Sequence, residues 1–179
     1  GMNDFRYVPF DQKIADEYRK NQTTIVEAFK KAGARVVLGS PGIIDSVPKW
    51  VKNATGTKED LNLSLSKFRN VDVEVAEAQG VAFADVYAPM LLANNVAKKQ
   101  YGEGFMVAGK DGVHPGWAGH VIMAYAFLKG MGIDGDLGTI TYDEVSGKSI
   151  AANGHEIVAS KDGQISIRST RLPFSAAPG

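Results

Sequence analysis

The sequence predicts an α/β protein built on a parallel sheet, followed by a small β-rich extension. Two observations carry the first part. Two long helical stretches each end at a glycine and lead into a short apolar run, Arg35-Val36-Val37-Leu38-Gly39 and Val81-Ala82-Phe83-Ala84-Asp85-Val86. Runs of that kind, apolar without strict alternation, suit strands covered on both faces by helices. Helix-then-strand units with short joins imply right-handed crossovers, and in such sheets ligands bind beyond the carboxyl ends of the strands. A third observation carries the extension. From Gly132 the chain turns to short alternating runs separated by glycine-containing turns.

Composition narrows the field of functions. At 179 residues the chain suffices for one domain with a real core. Lys+Arg and Asp+Glu both number 20, so no net field points to nucleic acid or an anionic membrane surface. No apolar run approaches the roughly 18 residues of a membrane-spanning helix. The absence of cysteine excludes thiolate catalysis, disulfides and cysteine-held metal. It leaves the compartment open, with a secreted or periplasmic setting the favoured one.

Taken in order, the chain starts Gly1-Met2-Asn3-Asp4, which reads either as a remnant of a cleaved tag or as a strand end delivering an Asn amide to a site. Phe5 to Phe10 is a polar-aromatic loop, and Asp11 caps a helix over about Gln12–Lys31. Its apolar face is read as Ile14, Tyr18, Ile25, Ala28 and Phe29, and Gly33 is its stop. After the first strand, Ser40-Pro41-Gly42 opens a long loop or lid from Ile43 to Asp60 with at most one helical turn. A second helix covers about Leu61–Gln79, closed by Gly80. Beyond the second strand, Pro89 opens a helix over about Met90–Tyr101. Gly102 to Gly109 is a loop with a short extended piece at Phe105-Met106-Val107, and a last helix runs from about Gly116 to Met131. In the extension, Thr139–Tyr142, Glu156–Ala159 and Gln164–Ile167 predict an antiparallel meander, with turns at Ser146-Gly147, Asn153-Gly154 and Asp162-Gly163. Leu172 to Gly179 reads as a linker.

The stretch Asp111-Gly112-Val113-His114-Pro115-Gly116 carries the chemistry. An acid three residues before a histidine can hydrogen-bond the imidazole and fix its tautomer, leaving the other ring nitrogen as a base. Pro115 favours an extended His114 just outside the following helix. His120, inside that helix, reads as a packing or hydrogen-bonded residue. Trp50 and Trp117 suit either a substrate pocket or ordinary packing. His155-Glu156 lacks a second histidine four residues on, where Ala159 stands, and so is no zincin site. Asp134-Gly135-Asp136 lacks the later glycine and glutamate of a calcium loop.

With the Asp-x-x-His-Pro corner after an α/β pattern, the chain resembles the SGNH (GDSL-type) hydrolase family of esterases. Two of that family's four blocks are present in order: Gly1-Met2-Asn3-Asp4 matches Gly-x-Asn-Asp, and Asp111-Gly112-Val113-His114 matches Asp-x-x-His. The resemblance covers roughly residues 1–131 and implies a three-layer α/β/α, flavodoxin-like fold. It sets residues 132–179 apart as a β-rich extension or a linker to a further domain. It implies a Ser-His-Asp mechanism without cofactor or metal. His114 is then the base and later the acid, Asp111 its orienting partner, and Asn3, with Gly1, belongs to the oxyanion and substrate-binding group. The implied substrate is a small-molecule ester, such as an acetylated sugar or a small acyl ester.

The other two blocks, one with the Gly-Asp-Ser nucleophile, precede Gly-x-Asn-Asp in the family and do not occur in these residues. There is no Gly-x-Ser-x-Gly elbow either. Ser40, at a strand end, is the best substitute within the chain, although the family places its nucleophile at the first strand. The expectation is therefore a segment incomplete at its N-terminus, inactive alone, with an apolar sheet edge exposed and the serine upstream. A second reading stays open: a non-catalytic module on the same scaffold that binds carbohydrate or a partner protein. Oligomeric state is not legible.

Overall fold

A computed structural model describes residues 1–133, 135–161 and 163–171 of the chain. They fall into two compact units, Gly1–Ile133 and Asp134–Gly179.

The first unit is a mixed α/β arrangement around a parallel strand pair. Helix α1 is Gln12–Lys31, begun by Asp11, whose carboxylate accepts from the backbone N–H groups of Lys13 and Ile14. Its buried stripe is Ala15, Tyr18 and Val26, while Ile25 and Phe29 are exposed. The predicted face is thus rotated. Tyr18 sits in both readings, but the inward positions continue from it at Val26, not at Ile25 and Phe29. Strand β1 is Val37–Gly39, and the 40–57 segment is a loop, as its broken pattern predicts.

Helix α2 is Lys58–Gln79 and starts a turn earlier than its apolar period suggests. The reason is local. Thr57 accepts from the Asp60 N–H and the Asp60 carboxylate accepts from the Thr57 N–H, a reciprocal cap for two orphan donors. Leu61, Leu65, Phe68, Val71 and Val75 then recur at three- and four-residue spacing and are buried.

Strand β2, Ala82–Ala84, pairs with β1 in parallel, with Val37 opposite Ala82, Leu38 opposite Phe83 and Gly39 opposite Ala84. Helix α3 is Tyr87–Tyr101 and α4 is Trp117–Gly130. Gly130 permits a close approach: a β-carbon there would lie 2.9 Å from the Phe83 carbonyl oxygen. The piece at Phe105–Val107 is turn and coil, not a strand. The Phe105 N–H donates to the Gly102 carbonyl and the Val107 N–H to the Asn94 side chain, so neither enters a ladder.

The core joins the N-terminal turn to α1 and α2. Phe5 packs on Tyr7 with ring centroids 4.8 Å apart, Phe68 meets Phe5 edge-on, and Tyr18 lies 4.8 Å from Phe68. Fully burying each such ring contributes roughly 1.5–3 kcal/mol, so the N-terminal turn is anchored rather than frayed. Beneath it, the Tyr18 hydroxyl donates to the buried Asp72 carboxylate, 2.9 Å and 3.1 Å from its two oxygens.

In the second unit, β3 (Thr139–Asp143) pairs antiparallel with β4 (Lys148–Ala152), and β5 (His155–Lys161) with β6 (Gln164–Ser169). The sequence pattern predicts three of these strands. Lys148–Ala152 is missed because Ser-Ile-Ala-Ala has weak strand character, and pairing with β3 decides it. Asn153 and Gly154 both take positive φ, 54° and 94°, the geometry of a tight turn between β4 and β5. Asp134 of the run that lacks a calcium loop's later residues, Asp162 of a predicted turn and the 172–179 segment read as a linker lie outside the described residues.

Candidate active site

The Asp111–His114 corner is a tight turn between α3 and α4. The Gly109 N–H donates to the Met106 carbonyl and the Gly112 N–H to the Gly109 carbonyl. Asp111 Oδ1 accepts from the backbone N–H of Val113, at 3.0 Å, and of His114, at 2.9 Å. An aspartate that bonds its own downstream backbone in this way makes a turn from a short polar side chain.

The other oxygen, Oδ2, lies 2.7 Å from His114 Nδ1. Both oxygens are thus engaged. The His114 backbone N–H, then the imidazole, then the Val113 N–H hold the Asp111 carboxyl down at a pKa of about 2. A carboxylate on Nδ1 places the neutral ring's proton there and makes Nε2 the basic nitrogen. The His114 side chain is 75% exposed, so the ring projects from the turn as the sequence predicts.

Trp50 stacks on that ring, with centroids 5.6 Å apart and planes at 25°. It comes from the 40–57 loop, and no spacing in the sequence signals the contact. Next to the pair opens a cleft of about 490 Å³ lined by Ser46, Val47, Lys49, Trp50, Met106, Lys110 and Asp111.

Gly109 is essential to this geometry. Its φ is +89°, and a β-carbon on it would lie 1.8 Å from the His114 carbonyl oxygen.

Asn3 and Gly1 sit elsewhere on the same unit. Gly1 lies against Pro41. Asn3 lines a small pocket with Asp4, Arg6, Glu17 and Tyr18, distinct from the cleft beside Asp111. Its Oδ1 accepts from the Tyr7 hydroxyl at 3.3 Å. Burial, and secondarily the Asp111 charge, raise the Tyr7 phenol above its ordinary pKa. Arg6 and Tyr7 both take positive φ, 57° and 56°. For non-glycine residues this is a costly conformation, here held by the burial of Phe5 and Tyr7.

Ser40 has a structural task. Its hydroxyl accepts from the N–H groups of Val86 and Tyr87, at 2.9 Å and 3.0 Å, and donates to the Pro41 carbonyl. It therefore caps the start of α3 from a neighbouring strand end. His120, the other histidine of this unit, approaches the Gly116 carbonyl one turn back in its own helix.

Neither a family model nor a curated protein matches the chain. Solved structures do. The chain is similar to a gut microbial diltiazem-metabolizing enzyme at a TM-score of 0.64 and 26% identity, over 87% of this chain and 36% of that one. It is also similar to a variant of an acetyl-xylooligosaccharide esterase from Geobacillus, at a TM-score of 0.50 and 26% identity, over 67% of this chain and 48% of that one. The chain has the SGNH (GDSL-type) hydrolase fold. A GDSL-like lipase from Parabacteroides merdae matches at a TM-score of 0.49 and 18% identity, over 66% of this chain and 50% of that one. The chain spans about a third to a half of the length of these structures. In this SGNH hydrolase fold the Asp111–His114 turn follows β2 and α3 and leads into α4.

Proposed function

We propose that these residues supply the acid–base part of a serine ester hydrolase. The observation that carries the reading is the 2.7 Å approach of Asp111 Oδ2 to His114 Nδ1 on an exposed turn. A serine hydroxyl brought to Nε2 gives up its proton as it attacks the ester carbonyl. His114 then returns that proton to the leaving alcohol, and Asp111 stabilises the imidazolium in between. The acyl-enzyme is released by water through the same two proton transfers in reverse. The family resemblance gives the oxyanion to Asn3 and Gly1, but Asn3 lines a pocket apart from the Asp111 cleft and Gly1 lies against Pro41. An oxyanion donor, worth about 3–4 kcal/mol, therefore has to come from another group beside His114. The nucleophile is a serine other than Ser40, whose hydroxyl is taken up by the N–H groups at the start of α3. The substrate class is an acetylated carbohydrate or another small acyl ester. One of the similar structures is an acetyl-xylooligosaccharide esterase, which supports that class.

Fluorophosphonate labelling of the protein tests this reading. One serine should be labelled in the native protein, with labelling and p-nitrophenyl acetate hydrolysis falling about 10²–10⁴-fold in a His114→Ala variant. Hydrolysis unaffected by that substitution would reject the assignment. No adduct under conditions that label a control esterase would point instead to a binding module.

A further inference from the structure

We infer that Asp45 is the positioning residue of the Asp111–His114 pair, acting from the opposite side of the turn through a buried clamp. The inference rests on the acid–base reading of His114 given above.

Asp45 lies in the loop after β1, where nothing in the sequence marks it, and its side chain is wholly buried. Four contacts converge on it. The Asn94 amide donates to Oδ1 at 2.7 Å, and Lys98 Nζ lies 3.1 Å from the same oxygen. The Ala108 N–H donates to Oδ2 at 2.9 Å, and the Asp45 N–H donates to the Gly112 carbonyl at 2.8 Å. Asn94 completes the ring by accepting from the Val107 N–H with its own Oδ1.

The clamp therefore holds the turn at two points, at Val107-Ala108 before it and at Gly112 inside it. Asn94 and Lys98, four residues apart on α3, supply the fixed side. The placement has a purpose that ordinary packing does not supply. The 105–116 loop contributes no strand to the sheet, so its backbone donors need partners from elsewhere. A charged acceptor provides strong and directional ones. Buried charges are costly unless paired and fully hydrogen-bonded, and an apolar residue would fill the same space at lower cost. An aspartate here with its lysine is explained by geometry. It fixes the Gly112 carbonyl and the Ala108 N–H, and thereby the direction in which Asp111 presents Oδ2 to the imidazole. Misplacement of a catalytic group by about 1 Å costs about 10²-fold in rate.

The test reads the histidine itself. The chain has three histidines, so ¹⁵N-labelled imidazoles resolve individually, with His114→Gln for assignment. In the native protein the neutral His114 ring should be the single Nδ1–H tautomer. In Asp45→Asn, where one oxygen becomes an amide donor facing the donors around it, His114 should show mixed tautomers. Ester hydrolysis by the same variant should lose at least tenfold in kcat with KM little changed. Lys98→Met is the second variant should Asp45→Asn not fold, and the same loss of tautomer purity is expected there. Leu65→Ala, a core change distant in the sequence, should lower the melting temperature and leave the tautomer pure. A single Nδ1–H tautomer in a folded Asp45→Asn or Lys98→Met protein would overturn the inference. If the tautomer responds while the native protein hydrolyses no ester, the clamp stands and the esterase reading falls.

Discussion

Trp50 and His114 lie face to face, their ring centroids 5.6 Å apart, although 64 positions separate them in the chain. The contact closes one face of the imidazole and leaves its edge free for proton transfer. A protonated imidazole over an indole face is also a favourable cation–π arrangement.

The stack gives a fluorescence reporter. Trp117 is the other tryptophan, so a Trp117→Phe protein emits from Trp50 alone. Its emission should shift when the stacked ring is removed in a His114→Ala change, and an unchanged spectrum would contradict the stack. Trp50→Ala should lower kcat/KM for ester hydrolysis about tenfold, on the scale of modest base misplacement.

Asp111 sets a second expectation, about acid. Its folded-state pKa of about 2 lies below the ordinary value near 3.9. A depressed carboxyl contributes stability that is complete above the unfolded value and is lost as pH falls through the folded one. Denaturant titrations should therefore show the native chain more stable than Asp111→Asn at neutral pH. The gap should shrink between about pH 4 and pH 2. A gap independent of pH over that range would contradict the arrangement.

Asp72 behaves in the opposite sense. Burial raises its carboxyl to about 7, partly offset by the Tyr18 hydrogen bond. The folded state then holds a proton that the unfolded chain has released, so the group costs stability progressively as pH rises from about 4 to about 7. Asp72→Asn keeps an acceptor for the Tyr18 hydroxyl. It should raise stability at pH 8 by on the order of 1–3 kcal/mol and leave it little changed at pH 4, read from urea unfolding.

The turn backbone is equally testable. Gly109→Ala places a methyl against the His114 carbonyl at a positive φ. It should cost on the order of 2 kcal/mol or more and broaden the His114 resonances.

Ser40→Ala separates cap from nucleophile. It should destabilise the first unit by about 1–2 kcal/mol through loss of the α3 cap. Fluorophosphonate labelling should be unchanged. Loss of the label with stability intact would instead make Ser40 the nucleophile.

The sequence alone determined the order and type of the elements of the first unit, and the Asp111–His114 pair. Periodicity and glycine stops depend on local sterics, and an aspartate three residues before a histidine meets it within one turn. The bounds of α1 are legible for that reason. The start of α2 hides in a Thr-Asp cap that apolar period does not register. Tertiary structure decided everything that joins distant segments: the stack of Trp50 on His114, the rotated face of α1, the pairing of Lys148–Ala152 with β3, and Ser40 as a cap for α3. Asp45 is the clearest case. In sequence it is one carboxylate in an irregular loop. Only the fold surrounds it with Asn94, Lys98 and the Ala108 N–H, because burying a charge requires partners that no local stretch can supply.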